Sequence, residues 1–263
     1  MIPTEAQLKQ LNADKMLKMF KERFSDASDF TFVFVGNIDE KTMLPLIEKY
    51  IGGLPSSKGK KAEKWQDRST PFASGVVDET VYAGEANKGL MTITFENDFD
   101  WSDRLATKAL DNICSIKLTE TIREELGGTY SPSFSLSYEK YPQAKTTAMC
   151  YYTCDPTTVD KLTNATFEVL DKLIAEGPEV KDLDKVKEQL ILERKGQLER
   201  NGFWLGQISG SRFYGYDMQT LEEYSAAVNA LTVEDIKAVA AKYLKHDGYV
   251  RVSLKPESMK PAK

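Results

Sequence analysis

Residues 118–138 read LTETIREELGGTYSPSFSLSY and contain the passage from a long helix into a strand. Apolar residues recur at helical spacing up to and into this stretch, which predicts a helix from near Ser102 to Leu126. Gly127-Gly128 then ends the helix, because glycine readily adopts the left-handed backbone that closes a helix C-terminus. Over 133–138, apolar residues alternate with serines, as is typical of a strand that is buried on one face.

The neighbouring segments predict the rest of a sheet and its helices. Further strands are predicted at 76–82, 90–95, 145–154 and 249–254. Further helices are predicted at 155–176, 183–200, 203–214, 221–231 and 233–244; the first opens with Asp155 as its cap and Pro156 as its first residue. Strands and helices do not alternate regularly in this order. It therefore favours an α+β fold, with an antiparallel-dominated mixed sheet and helices packed on one face.

The N-terminal segment is a separate and smaller pattern. A helix capped by Asn12 is followed by the apolar run 30–35, which predicts a buried strand, and by a second helix that ends at Gly52-Gly53. Helix, strand and helix alone cannot bury their own apolar faces. We therefore predict that residues 1–55 are the tail of a preceding, similar domain, that 56–75 form a polar linker, and that 76–263 form the C-terminal α+β domain.

Composition excludes several classes of function. The chain has 263 residues, with 35 basic and 40 acidic side chains and a net charge of −5, so a nucleic acid would meet net repulsion. Neither a stretch of about 18 apolar residues nor a secretion signal is visible, so no membrane partner is expected and the compartment stays open. The single histidine, His246, cannot form a zinc motif by itself, and the spacing of Cys150 and Cys154 is that of same-face neighbours on a strand. We therefore expect no metal on this chain.

Arg123 and Tyr130 are the candidate binding residues. They lie seven positions apart on either side of Gly127-Gly128, so a chain that folds back at the glycines brings guanidinium and phenol together. Two such donors suit a peptide carbonyl or a developing oxyanion. The alternative is structural: an arginine near a helix C-terminus complements the helix dipole, and a tyrosine at a strand start is commonly half-buried.

Other chemistry-bearing residues have simpler explanations. His246 is interpreted as a cation near a helix exit. Paired carboxylates could act as general acid and base, but those of this chain lie on charged helical faces, where solvation explains them. These carboxylates are Glu124, Glu125, Asp182, Asp184 and Glu188.

The block from Ile122 to Ser131, together with residues 32–39, 50–55 and 201–204, resembles the pitrilysin/insulinase family of zinc metallopeptidases, and most of all its large bacterial members. The resemblance implies a mitochondrial-processing-peptidase-like metallohydrolase domain. Family enzymes pair two halves around a closed chamber. The N-terminal half holds zinc through H-x-x-E-H and a distal glutamate, and the other half lends an arginine and a tyrosine to the substrate backbone.

By that pattern Arg123 and Tyr130 are substrate-binding residues, and this chain carries no catalytic residue of its own. The zinc motif is missing, so zinc is expected in the absent N-terminal half, and that half and a peptide substrate are the implied partners. The chain is expected to be inactive alone. Two alternatives stay open: a non-catalytic structural or assembly subunit of the same fold, and a module that binds peptides at a sheet edge without chemistry.

Overall fold

Five strands form one sheet in the order β1-β5-β2-β4-β3. They are β1 (Val76–Tyr82), β2 (Gly89–Asp98), β3 (Ser133–Glu139), β4 (Lys145–Cys154) and β5 (Tyr249–Lys255). Among the residues that the structure describes, only the pairing of β1 with β5 is parallel, and the other three strand pairs are antiparallel. The antiparallel-dominated mixed sheet predicted from the sequence is therefore confirmed.

The computed structural model describes residues 3–57, 66–67 and 71–261. Its helices are α1 (Glu5–Leu8), α2 (Ala13–Arg23), α3 (Glu40–Tyr50), α4 (Arg104–Leu118), α5 (Val159–Glu176), α6 (Val180–Gln197), α7 (Asn201–Tyr214), α8 (Leu221–Ala230) and α9 (Val233–Tyr243). Among these described residues, no helix combines the length and apolar composition that crossing a bilayer requires.

One face of the sheet builds the core. On β2, Met91, Ile93 and Phe95 are fully buried, and α5 and α9 pack against this strand. Helix α4 packs against β3, and α6 lies against α4. The opposite face is open: Met149 and Tyr151 of β4 are exposed. Helices on a single face of the sheet agree with the predicted α+β class.

Contacts group the chain into two compact units, residues 1–69 with 200–213 and residues 70–199 with 214–263. The second unit holds the whole sheet. In the first, α2 begins after Asn12, whose side chain accepts a hydrogen bond from Lys15 N–H as predicted. The bounds 1–55, 56–75 and 76–263 stay a prediction, and most of the proposed linker lies outside the described residues.

Two predictions of secondary structure were wrong. Residues 30–35, all of which the structure describes, form no strand, because no neighbouring strand of the described chain supplies the hydrogen bonds that a ladder needs. Helix α5 begins at Val159 rather than beside Pro156, because Asp155 instead closes a turn by accepting the Thr157 N–H at 2.8 Å.

Candidate functional site

The long helix changes its geometry before it ends. After Leu118 it continues as a π-helix, Thr119–Glu125, in which the N–H of Leu126 bonds to the carbonyl of Thr121 at 3.1 Å. Ile122 is fully buried and anchors this segment to the core, whereas Arg123 beside it is exposed. Short π-helical segments are rare and often occur at functional sites.

The glycine pair turns the chain sharply from the helix toward β3. Gly127 has φ +57°, in the left-handed region, and its N–H bonds to the Arg123 carbonyl at 3.1 Å. Gly128 lies so close to α5 that a Cβ on it would come within 2.3 Å of a methyl carbon of Leu162. The Thr129 hydroxyl then donates to the Thr153 carbonyl at 2.6 Å, which ties the loop to β4.

This turn brings the two candidate residues together. The guanidinium carbon of Arg123 lies 5.2 Å from the centre of the Tyr130 ring, within the range of a cation–π contact. Tyr130 is 85% exposed, and Arg123 is exposed as well. The arrangement therefore offers a charged N–H donor and a phenolic O–H donor at one accessible place.

A partly buried ion cluster lies at the point where α4 becomes π-helical. The Lys117 ammonium contacts Asp182 at 2.6 Å, Glu120 at 3.0 Å and Glu179 at 3.6 Å. Partial burial alone would lower the pKa of Lys117, but the hydrogen bonds to Asp182 and Glu120 outweigh it and raise that pKa. The prediction that solvation explains Asp182 was wrong, because this residue is only 4% exposed and its charge is matched by Lys117.

The outer edge of β3 is partly closed by α4. Asp111 accepts a hydrogen bond from the Leu136 N–H at 2.8 Å, and Ser115 lies 3.5 Å from the Phe134 carbonyl. Because β3 is the last strand of the sheet, an added peptide strand would have to pair with the Leu136 N–H and the Phe134 carbonyl, which α4 already occupies. Strand addition at this part of the edge is therefore blocked.

The family model described as "Peptidase M16 inactive domain" matches residues 10–190. The chain belongs to the peptidase M16 family. This confirms the resemblance to zinc metallopeptidases that the block around Arg123 indicated.

Individual relatives agree with the M16 assignment. The chain is 27% identical over 254 residues to "Probable zinc protease PqqL" of Escherichia coli, covering 92% of this chain and 26% of that protein. It is 25% identical to "Zinc protease PQQL-like" of Arabidopsis thaliana, covering 96% of this chain and 29% of that protein. It thus spans between a quarter and a third of the length of these curated relatives.

Solved structures share the fold. The crystal structure of the periplasmic protease PqqL from Escherichia coli aligns with a TM-score of 0.75 at 25% identity, over 97% of this chain and 28% of that one. A protease from Helicobacter pylori aligns with a TM-score of 0.80 over 96% of this chain and 61% of that one. At 18% identity, the second likeness concerns the fold alone.

The histidine and the two strand cysteines of this M16 inactive domain have structural surroundings, whereas Glu124 and Glu125, next to Arg123, are exposed to solvent as predicted. His246 Nδ1 is 3.4 Å from Asp171, and its ring contacts those of Phe95, Phe167 and Tyr249. Cys150 and Cys154 share a strand face as predicted, with Cys150 fully buried. Within the part of the chain that the structure describes, no group of three His, Cys, Asp or Glu side chains could hold a metal ion.

The sequence did not predict two long-range contacts that shape the site. Lys117 and Asp182 are 65 positions apart, and Asp111 and Leu136 are 25 apart. Helical periodicity reports which residues of one helix share a face, but not which distant residue they meet. The one feature of the sequence that could have indicated the ion cluster is a charged residue next to the apolar face of a helix, as Lys117 is next to Leu118.

Proposed function

We propose that this chain is the non-zinc portion of an M16 zinc metalloendopeptidase and forms one wall of its peptide-binding chamber. Arg123 and Tyr130 hydrogen-bond the substrate backbone near the bond that is cut. Proteolysis then requires the zinc-bearing half, whether that half lies on the same polypeptide or on a partner subunit. The 5.2 Å contact between Arg123 and the Tyr130 ring is the observation that carries this proposal.

The geometry suits recognition of a backbone rather than of particular side chains. A guanidinium offers several N–H donors in a fixed plane, and a phenol offers one O–H donor, while a peptide carbonyl only accepts. Stacking over the Tyr130 ring limits the directions in which the Arg123 side chain can point. Donors that are already oriented lose less conformational entropy when a peptide binds.

The metal-binding chemistry belongs elsewhere in the proposed enzyme. The described residues contain no group of three His, Cys, Asp or Glu side chains that could hold a metal ion, so they do not fit a zinc site, and we place the zinc in the other half. The role of this chain is to hold the peptide and supply hydrogen-bond donors. Peptides and unfolded segments are the proposed substrates, because backbone donors become useful only when the backbone of the substrate is exposed.

The first compact unit provides a reason to expect a partner. Phe20 and Phe24 stack at 4.5 Å between ring centres, and Phe24 in turn meets Phe30 at 5.8 Å. Phe20 is 58% exposed, Phe24 57% and Phe30 38%. Exposed apolar patches of this kind usually mark interaction surfaces. We assign this surface to the remainder of the peptidase.

The experiment is a comparison of variants in the complete peptidase that contains the zinc-bearing half. Arg123→Ala and Tyr130→Phe should each lower kcat/KM for a fluorogenic peptide by about 10- to 1,000-fold, as expected when one positioned donor is lost. Lys49→Ala and Tyr50→Phe provide the matched control, because Lys49 Nζ lies 5.0 Å from the Tyr50 ring, also on the surface. Unchanged turnover in the Arg123 and Tyr130 variants would refute the assignment.

The second candidate function is a structural or assembly subunit of the same fold. The exposed rings of Phe20, at the end of α2, and Phe24, just beyond it, favour this candidate, because they require a partner but no chemistry. A complex III structure from Candida albicans shares this fold, with a TM-score of 0.62 at 17% identity. The discriminator is genetic: an H-x-x-E-H sequence upstream in the same reading frame, or in the neighbouring gene, favours the peptidase.

A further inference from the structure

The ion cluster around Lys117 stands immediately before the segment that carries Arg123. Lys117 belongs to the last turn of α4, and the π-helix begins two residues later. Its ammonium is bound from two directions: Glu120 lies in the π-helix itself, and Asp182 lies in the first turn of α6. The cluster therefore links the π-helix to α6, a helix that is distant from it in the sequence.

The ion pair between Lys117 and Asp182 is more buried than most ion pairs of the described chain. The side chain of Lys117 is 18% exposed and that of Asp182 is 6% exposed, whereas most other ion pairs of the described chain have a partner that is more than half exposed. Solvent screening weakens the exposed pairs. A buried charge without its partner is costly, so Asp182 keeps Lys117, and with it the end of α4, in one position.

The position of the end of α4 affects the direction of the Arg123 side chain, because the π-helix begins there. An i→i+5 ladder holds more residues per turn than an α-helix, so each residue advances less than 100° about the axis. The residue at which the ladder changes therefore decides the direction in which Arg123 projects. Thr119, at the change, also bonds through its hydroxyl to the Ser115 carbonyl at 2.7 Å, which occupies an acceptor of the last α-helical turn.

We infer that Lys117, held by Asp182 and Glu120, is a positioning residue that fixes the start of the π-helix and thereby aims Arg123 at the bound peptide. This inference rests on the proposed function. Lys117 does not touch the substrate in this scheme; it acts through Arg123 alone.

The decisive test is a double-mutant cycle in the complete peptidase. Lys117→Met should lower kcat/KM for a fluorogenic peptide by about tenfold, less than the roughly 100-fold that a full 1 Å misplacement of a positioned group can cost. The same substitution in an Arg123→Ala background should change kcat/KM less than twofold, because the residue through which Lys117 acts is gone. Lys117→Arg should recover most of the activity, since it keeps the charge and the contact with Asp182.

A second variant and a second measurement guard against simple unfolding. Glu120→Gln removes one partner of Lys117 from a half-exposed position, so the fold should survive. We expect kcat/KM for the fluorogenic peptide to fall by about threefold. Hydrogen exchange should show faster exchange of the amides of 119–126 in both variants, with the amides of β2 and β4 unchanged. Asp98→Asn, which breaks the exposed pair with Lys145, is the control and should alter neither readout.

The outcomes separate the two proposals. Equal activity losses in the wild-type and Arg123→Ala backgrounds, or unchanged exchange over 119–126, would overturn the positioning role and leave the proposed function intact. Full peptide turnover in Arg123→Ala itself would instead refute the proposed function, and the positioning role would fall with it.

Discussion

The carboxylate of Asp111 accepts a hydrogen bond from the backbone N–H of Leu136 at 2.8 Å. This bond joins the middle of α4 to the outer edge of β3, where an unpaired N–H would otherwise invite another strand. Burial raises the pKa of Asp111, although the Leu136 hydrogen bond and the nearby Lys108 oppose the effect. Asp111 thus protects the edge and carries a desolvation cost.

Replacing Asp111 with alanine should show how much this hydrogen bond contributes to the free energy of unfolding. Asp111→Ala leaves the Leu136 N–H without its partner, and we expect the free energy of unfolding to fall by about 1–3 kcal/mol, the usual cost of a buried unsatisfied donor. Asp111→Asn keeps an oxygen acceptor of the same size and should change stability by less than about 1 kcal/mol. Urea unfolding of the two variants measures the difference; equal losses would show that the bond contributes nothing.

The same residue predicts a pH dependence of stability. Because the pKa of Asp111 is raised above its ordinary value of 3.8 in the folded state, the native chain holds more protons than the unfolded chain in the window just above that value. The unfolding free energy contributed by Asp111 is therefore fully present below about pH 4 and falls as pH rises through the folded pKa. Relative to wild type, Asp111→Asn should gain stability as pH rises above 3.8, the ordinary pKa of this carboxyl group. A constant difference as pH rises would contradict the burial argument.

The two glycines of the turn should respond differently to substitution. At Gly128, alanine would place a methyl group 2.3 Å from Leu162, and such overpacking typically costs about 1–3 kcal/mol. At Gly127 the space is open, so Gly127→Ala should cost only the left-handed backbone penalty of about 1–2 kcal/mol. Leu162→Val should relieve part of the Gly128→Ala loss and none of the Gly127→Ala loss. Thermal unfolding of the single and double variants tests this, and the absence of selective relief would contradict the predicted clash.

The three cysteines should differ in reactivity. Cys114 and Cys150 are fully buried, and burial raises the pKa of the Cys150 thiol to about 12 and that of Cys114 well above its usual range. Cys154 is only half-buried, so it should react first with a thiol reagent at pH 8. Mass spectrometry of partially labelled native protein should find one modified residue, and three only after unfolding. Labelling of Cys150 at the rate of Cys154 would show that the sheet opens more readily than its burial implies.

Local patterns predicted the second unit well and the first unit less well. The strand bounds 76–82 and 145–154 agree with those predicted from the sequence, because each of these strands finds its partner within the chain. The run 30–35 is just as apolar, but an apolar run records a preference for burial, whereas a strand exists only where a neighbour supplies hydrogen bonds.

The candidate site was predicted in part. The proximity of Arg123 and Tyr130 followed from the glycine break, because a short local turn fixes distances between residues seven apart. The π-helix did not follow, since the sequence of 119–125 fits an α-helix equally well. The burial of Asp182 did not follow either, because it depends on Lys117, a residue on another helix. Local turns are thus predictable from one sequence, and long-range charge pairing is not.

The last prediction separates the ring of Tyr130 from its hydroxyl. Tyr130→Phe keeps an aromatic surface beneath the Arg123 guanidinium and removes only the O–H donor, whereas Tyr130→Leu removes both. Because Tyr130 is 85% exposed, neither change should alter the free energy of unfolding by more than about 0.5 kcal/mol. If the hydroxyl binds the substrate, Tyr130→Phe should already lower kcat/KM in the complete peptidase, and Tyr130→Leu should lower it at least as far because it also removes the ring beneath Arg123. If Tyr130→Phe instead kept wild-type turnover while Tyr130→Leu lost it, the ring would serve only to orient Arg123, and the phenol would have to be withdrawn as a donor to the peptide.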